Sequence, residues 1–120
     1  RARWDEVRER YELIRLLGPD EWHENVDNNA FTTRLSRLAL RHANAVSDVL
    51  EQHRPDALAD LRTRLDLTDD ELAAWARIES KLFEPTPDAE TQLIAPFDGF
   101  FDLEDCRPDD LRPRLLDPSE

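Results

Sequence analysis

A chain of 120 residues with 39% hydrophobic and 37% charged side chains is sized for one compact unit and is too apolar for an acidic disordered tail. Its 28 acidic residues against 16 basic ones give a net charge of -12, which opposes binding to nucleic acid phosphates and to anionic membranes, so neither is an expected partner. No apolar run approaches the roughly 20 residues that span a bilayer, no apolar h-region follows the first residues, and the lone Cys106 excludes an internal disulfide and a Cys-based zinc site.

Arg1 to Arg10 mix Trp4 and Val7 with charges and carry no cap or stop signal. Arg10 to Leu17 alternate roughly between polar and apolar residues, with Tyr11, Leu13 and Ile14 favouring a short strand. Gly18-Pro19-Asp20 has the composition of a turn. From Asn28 the period becomes helical: Phe31, Leu35, Leu38, Ala39, His42, Val46, Val49 and Leu50 recur every three or four residues on one face. Asn28 or Asn29 can cap the first turn, and Pro55 lies just past the end. A shorter helix is expected after Pro55, with Leu58, Leu61 and Leu65 on one stripe. Thr68 followed three residues later by Glu71 reads as a capping box opening a third helix to about Phe83. Pro85 and Pro87 stop it. Leu93-Ile94 and Phe97 to Phe101 suggest extended pieces around a turn at Asp98-Gly99, and Cys106 to Glu120 reads as irregular.

The densest polar cluster is the run from Gly18 to Asn29, where four carboxylates, three amides, a histidine and an indole fall within twelve residues. One reading is a solvated acidic loop that caps the next helix. The other is a sugar site. Cleavage of a glycosidic bond needs a carboxylic acid kept protonated, and an aromatic neighbour raises a carboxyl pKa by excluding water. Glu21 beside Trp22 supplies that pair, with amides nearby for sugar hydroxyls.

Gly18-Pro19-Asp20-Glu21-Trp22-His23-Glu24-Asn25-Val26-Asp27-Asn28-Asn29-Ala30-Phe31-Thr32 resembles the active-site segment of glycoside hydrolase family 65, which includes maltose, trehalose, kojibiose and nigerose phosphorylases and some trehalases. Trp75-Ala76-Arg77-Ile78 before Leu82-Phe83-Glu84-Pro85 resembles the family's tryptophan helix and proline turn, and Phe97 to Leu103 its Asp-Gly-aromatic segment. The resemblance implies a mainly α fold, with residues 1–120 forming a partial catalytic domain cut from an (α/α)6 barrel, since twelve helices need roughly 130 to 145 residues before any loop. The family's upstream tryptophan-aspartate segment, downstream lysine-glutamine pair and serine-rich phosphate loop are not in these residues.

By the same resemblance, Glu21 is the general acid and Asp20, Trp22, His23 and Asn25 are candidate sugar contacts. The implied activity is inverting phosphorolysis of an α-glucosyl disaccharide, giving glucose 1-phosphate and a sugar. Inorganic phosphate is the nucleophile, with no cofactor and no metal, in a cytoplasmic enzyme. A trehalase-like hydrolase of the same family would need a second carboxylate as base, and none is assigned. A non-catalytic acidic helical interaction module is the alternative outside enzymology. Trp22 stands where tyrosine is usual, Thr33 where asparagine is common, and Pro96 where a polar residue often stands; these departures bear on substrate choice. Helix faces taken from one sector of a barrel are expected to drive homo-oligomer formation and to leave the isolated 120 residues catalytically silent.

His23-Glu24 does not begin a zincin motif, because Asp27 stands where the second histidine belongs. His42 is read as a core or interface residue, Trp75 as core ahead of a sugar platform, and Cys106 as incidental.

Overall fold

The computed structural model describes residues 2–20, 23–107 and 109–110. The chain opens with a hairpin. Strands β1 (Ala2–Asp5) and β2 (Arg10–Leu13) pair antiparallel, with Trp4 opposite Tyr11 and their rings 5.0 Å apart edge to face. Asp5 shapes the connecting turn: its Oδ1 accepts the Val7 and Arg8 N–H groups, both at 2.9 Å. β2 ends at Leu13, so the strand expected over Arg10–Leu17 is shorter, and its pairing partner lies in the first ten residues, where no strand is expected.

Three helices follow: α1 (Ala30–His53), α2 (Pro55–Leu65) and α3 (Asp69–Lys81). Each begins on a local signal. Asn29 Oδ1 accepts the Thr32 N–H at 3.0 Å, Pro55 occupies the first position of α2, and Thr68 and Glu71 form the reciprocal capping box. Asp66 ends α2 in the left-handed region at φ 52°.

α1 and α3 run antiparallel along an ionic seam. Arg41 reaches Glu79 at 3.0 Å, while Arg37 and Arg34 reach Glu84, just past α3, at 3.0 and 2.6 Å. The end of α3 then docks on the hairpin, where the Phe83 N–H donates to the Tyr11 carbonyl at 2.8 Å and the Arg10 guanidinium lies 3.7 Å over the Phe83 ring. Leu13, Leu58, Leu82 and Phe97 are buried.

Much of the apolar face of α1 is exposed. Phe31, Leu35, Leu38, Val46 and Val49 are all exposed, and so is His42, which removes the core half of its core-or-interface reading. Trp75 is only half-buried. The radius of gyration is 20.2 Å, against about 13.6 Å for a compact 120-residue domain. The shape is that of a sector rather than a closed globule.

Beyond α3, Leu93 and Ile94 form no strand. Phe97–Phe101 is not extended either: Asp98-Gly99 makes the expected turn and a 3-10 turn follows over Phe100–Asp102. Gly99 enters it at φ 79°, which glycine adopts without the penalty a Cβ would bring. Part of the run Cys106–Glu120 lies outside the described residues. Among the described residues no helix is long and apolar enough to cross a membrane.

Burial pushes the Glu84 carboxyl up, yet the hydrogen bonds and charges of Arg34 and Arg37 together outweigh it and hold the group below its ordinary range. A depressed carboxyl stabilises the fold above its unfolded value, near ~4.3, and loses that contribution as pH falls through the folded value. In the intact protein, Glu84→Gln is therefore expected to cost about 0.5 kcal/mol at neutral pH, screened by salt. The gap from the parent should shrink as pH falls from neutral to well below the ordinary carboxylate range, where Glu84 takes up a proton and becomes neutral like the glutamine. Chemical denaturation at the two pH values measures it.

Candidate active site

The polar run from Gly18 to Asn29 forms a loop closed by two rungs. At its base, the Asn28 N–H donates to the Leu13 carbonyl at 2.7 Å and the Leu13 N–H donates to Asn28 Oδ1 at 3.1 Å. One step up, Leu16 and Val26 exchange backbone hydrogen bonds of 2.8 and 3.0 Å. The tip, described at residues 17–20 and 23–25, lies between the two partners of the upper rung in sequence. Arg15, Asn25 and Asn28 have φ of 53°, 59° and 54°. Asparagine tolerates this left-handed region better than most side chains, which accounts for two of the loop's three amides through the backbone alone.

Gly18 is buried under this loop. A Cβ there would lie 2.9 Å from Asp20 Oδ1 and 3.0 Å from Asn29 Nδ2, so a side chain would crowd the candidate sugar contact and the amide that caps α1, and one of them must give way.

Asp20 and His23 face each other across the turn, with His23 Nδ1 2.9 Å from Asp20 Oδ2. A carboxylate there selects the tautomer in which Nδ1 donates. Nε2 then accepts in the neutral ring and donates in the imidazolium. The His23 ring packs at 4.9 Å on Phe97 and at 6.5 Å, edge on, against Phe100. Asn25 is exposed. Glu21 and Trp22 lie outside the described residues.

The segment Pro96–Phe100 braces the loop from the side. The Asp98 N–H donates to the Asp27 carbonyl at 3.0 Å, the Ala30 N–H donates to the Pro96 carbonyl at 2.8 Å, and Asn28 Nδ2 donates to Asp98 Oδ2 at 2.8 Å. Beside this brace a recess of about 220 Å³ is walled by Phe83, Pro85, Thr86, Phe97, Asp98 and Gly99. It combines aromatic faces with a hydroxyl and a carboxylate. Thr33, fully buried in the first turn of α1, faces packed protein, so its departure from the family's usual asparagine falls on the interior.

Of the sequence-named residues, the structure brings Asp20 and His23 together. It adds Asn28, Asp98, Phe97 and Phe100, which the sequence placed only as a cap candidate and a turn. Among the described residues, no group of three or more His, Cys, Asp or Glu side chains is placed to hold a metal ion.

A mainly α sector, opened by a hairpin and carrying an acidic loop at the head of its longest helix, has the make-up of a piece of a larger helical catalytic domain. The chain belongs to glycosyl hydrolase family 65, whose central catalytic domain matches residues 1–116. It is 38% identical over 102 residues to the 1,2-alpha-glucosylglycerol phosphorylase of Bacillus selenitireducens, covering 85% of this chain and 13% of that protein. It is 36% identical over 115 residues to the nigerose phosphorylase of Lachnoclostridium phytofermentans (94% of this chain, 15% of that one). The kojibiose phosphorylase of Thermoanaerobacter brockii is 34% identical over 97 residues (81% and 12%). A solved structure assigned as a kojibiose phosphorylase from the human microbiome superposes with a TM-score of 0.73 at 19% identity, over 98% of this chain and 16% of that one. The fold is thus the expected segment of an (α/α)6 barrel, and the chain spans about one-seventh of the length of these relatives.

Gly18→Ala is expected to lower stability by about 1 kcal/mol, because the new methyl must displace Asp20 or the Asn29 cap. Thermal melting of the intact protein measures it.

Proposed function

We propose that this chain is part of an inverting phosphorylase of α-glucosyl disaccharides, with Glu21 as general acid and inorganic phosphate as nucleophile. The observation that supports the reading is the doubly rung loop, closed by the Leu13–Asn28 and Leu16–Val26 hydrogen bonds, in which Asp20 and His23, the described residues on either side of the Glu21-Trp22 pair in sequence, face each other. Its named relatives are phosphorylases of glucosylglycerol, nigerose and kojibiose, which favours phosphate over water as the acceptor.

In this mechanism Glu21 protonates the bridging oxygen as the bond to the anomeric carbon breaks. Phosphate attacks that carbon from the opposite face, inverting its configuration and yielding glucose 1-phosphate. Phosphate is already anionic, so no second carboxylate is required as base. Trp22, next to the acid in sequence, is the candidate stacking residue, and Asp20, His23 and Asn25 are the candidate hydroxyl contacts. His23 Nε2 is the atom left for substrate once Nδ1 is committed to Asp20.

The remaining barrel segments of the intact enzyme cover the exposed α1 face in this reading, and the isolated piece associates with itself instead. In the same reading the intact enzyme works in the cytoplasm.

Glu21→Gln is expected to reduce turnover at least about a hundredfold without changing the melting temperature, since general acid catalysis contributes about 10²–10⁴-fold. The assay is glucose 1-phosphate release from kojibiose, nigerose, trehalose or glucosylglycerol with phosphate, using the intact protein. Retained turnover in that variant removes Glu21 from the role. Release of free glucose without phosphate points to the hydrolase.

A further inference from the structure

We propose that Asn28 and Asp98 are positioning residues for the general acid: together they fix the ends of the loop whose sequence includes it against the Pro96–Phe100 segment. This rests on the reading of Glu21 as the acid.

Asn28 is 0% exposed, and both ends of its amide are bonded. Oδ1 accepts the Leu13 N–H at 3.1 Å, where the strand leaves for the loop, and Nδ2 donates to Asp98 Oδ2 at 2.8 Å. Its backbone N–H meanwhile closes the loop base on the Leu13 carbonyl at 2.7 Å. One side chain therefore ties the start of the loop, its end and a segment 70 residues away. The position needs an acceptor and a donor on one short side chain, together with a φ of 54°. Aspartate lacks the donor, leucine lacks both, and glutamine is a methylene too long. An ionised partner strengthens the second bond.

The same Pro96–Phe100 segment also touches the tip. Phe97 and Phe100 carry the His23 ring, two residues from the acid, and the Asp98 N–H holds the Asp27 carbonyl. Base and tip are thus braced by one element. Proton donation to a bridging oxygen requires heavy-atom reach of about 3 Å, and a misplacement of about 1 Å can cost about a hundredfold in rate.

The test uses the intact protein and compares Asp98→Ala, Asp98→Asn, Asn28→Asp and the exchange Asn28→Asp/Asp98→Asn, with Glu21→Gln in parallel. Asp98 is exposed, so truncating it leaves no cavity. Asp98→Ala is expected to lower kcat for phosphorolysis at least about tenfold with KM within about twofold, the signature of a contribution made in the transition state. Asp98→Asn can turn its amide oxygen towards Asn28 and should recover to within about threefold of the parent. Asn28→Asp sets two carboxylates face to face and should lose activity. The exchange variant restores a donor–acceptor pair and should regain most of it, a rescue that general loosening of the fold does not produce. A folded Asp98→Ala enzyme with parental kcat overturns the inference. So does an exchange variant no better than Asn28→Asp alone, which decides the matter even if Asp98→Ala fails to fold. An inactive Glu21→Gln beside a fully active Asp98→Ala defeats this inference alone, whereas an active Glu21→Gln defeats the acid assignment and this inference with it.

Discussion

A buried amide with a left-handed backbone is the constraint on which the rest of this structure depends. Asn28 sits where strand, loop, long helix and the Asp98 turn converge, and it satisfies polar groups of the strand end and of that turn. Removing its hydrogen bonds would leave buried donors and acceptors unpaired, each costing about 1–3 kcal/mol. The neighbouring Asn29 has a different task, capping α1. Two adjacent asparagines with unrelated duties mark the point where the chain passes from extended to helical structure.

The helical part is organised by charge as much as by apolar burial. With a net charge of -12, the chain still gathers Arg34, Arg37 and Arg41 on one face of α1 opposite Glu79 and Glu84. This ionic seam fixes how α3 lies along α1. The apolar stripe of α1 consequently points elsewhere, and the elongated dimensions of 66 × 37 × 26 Å follow from that outward-facing surface. Glycosyl hydrolase family 65 relatives are several times longer, which is the setting in which such a face is intelligible.

The helices were legible in the sequence because their ends are written locally: Asn29, Pro55 and the Thr68–Glu71 box each act within one turn. The loop was legible as a motif. Other features were hidden because they depend on distant partners. Nothing within Arg1 to Arg10 announces β1, whose alternation is masked by charged residues and whose support is Tyr11 across the hairpin. Periodicity shows that His42 shares a face with Val46 and Val49, but not whether that face meets its own chain. Phe97 to Phe101 looked extended from its aromatics, whereas Gly99 and the bond from Asp98 to Asp27 bend it into a tight turn. The Asn28–Asp98 bond joins residues with no sequence pattern between them.

Between α1 and α2 stands a single residue. Arg54 closes the first helix by donating its N–H to the Leu50 carbonyl at 2.8 Å, and its own carbonyl accepts the Ala57 and Leu58 N–H groups that open the second. No spare chain exists there to absorb an extra residue. Insertions and deletions that separate one lineage of these enzymes from another should therefore avoid this joint and accumulate in the proline-bearing stretch after α3, where added length disturbs no shared helical turn.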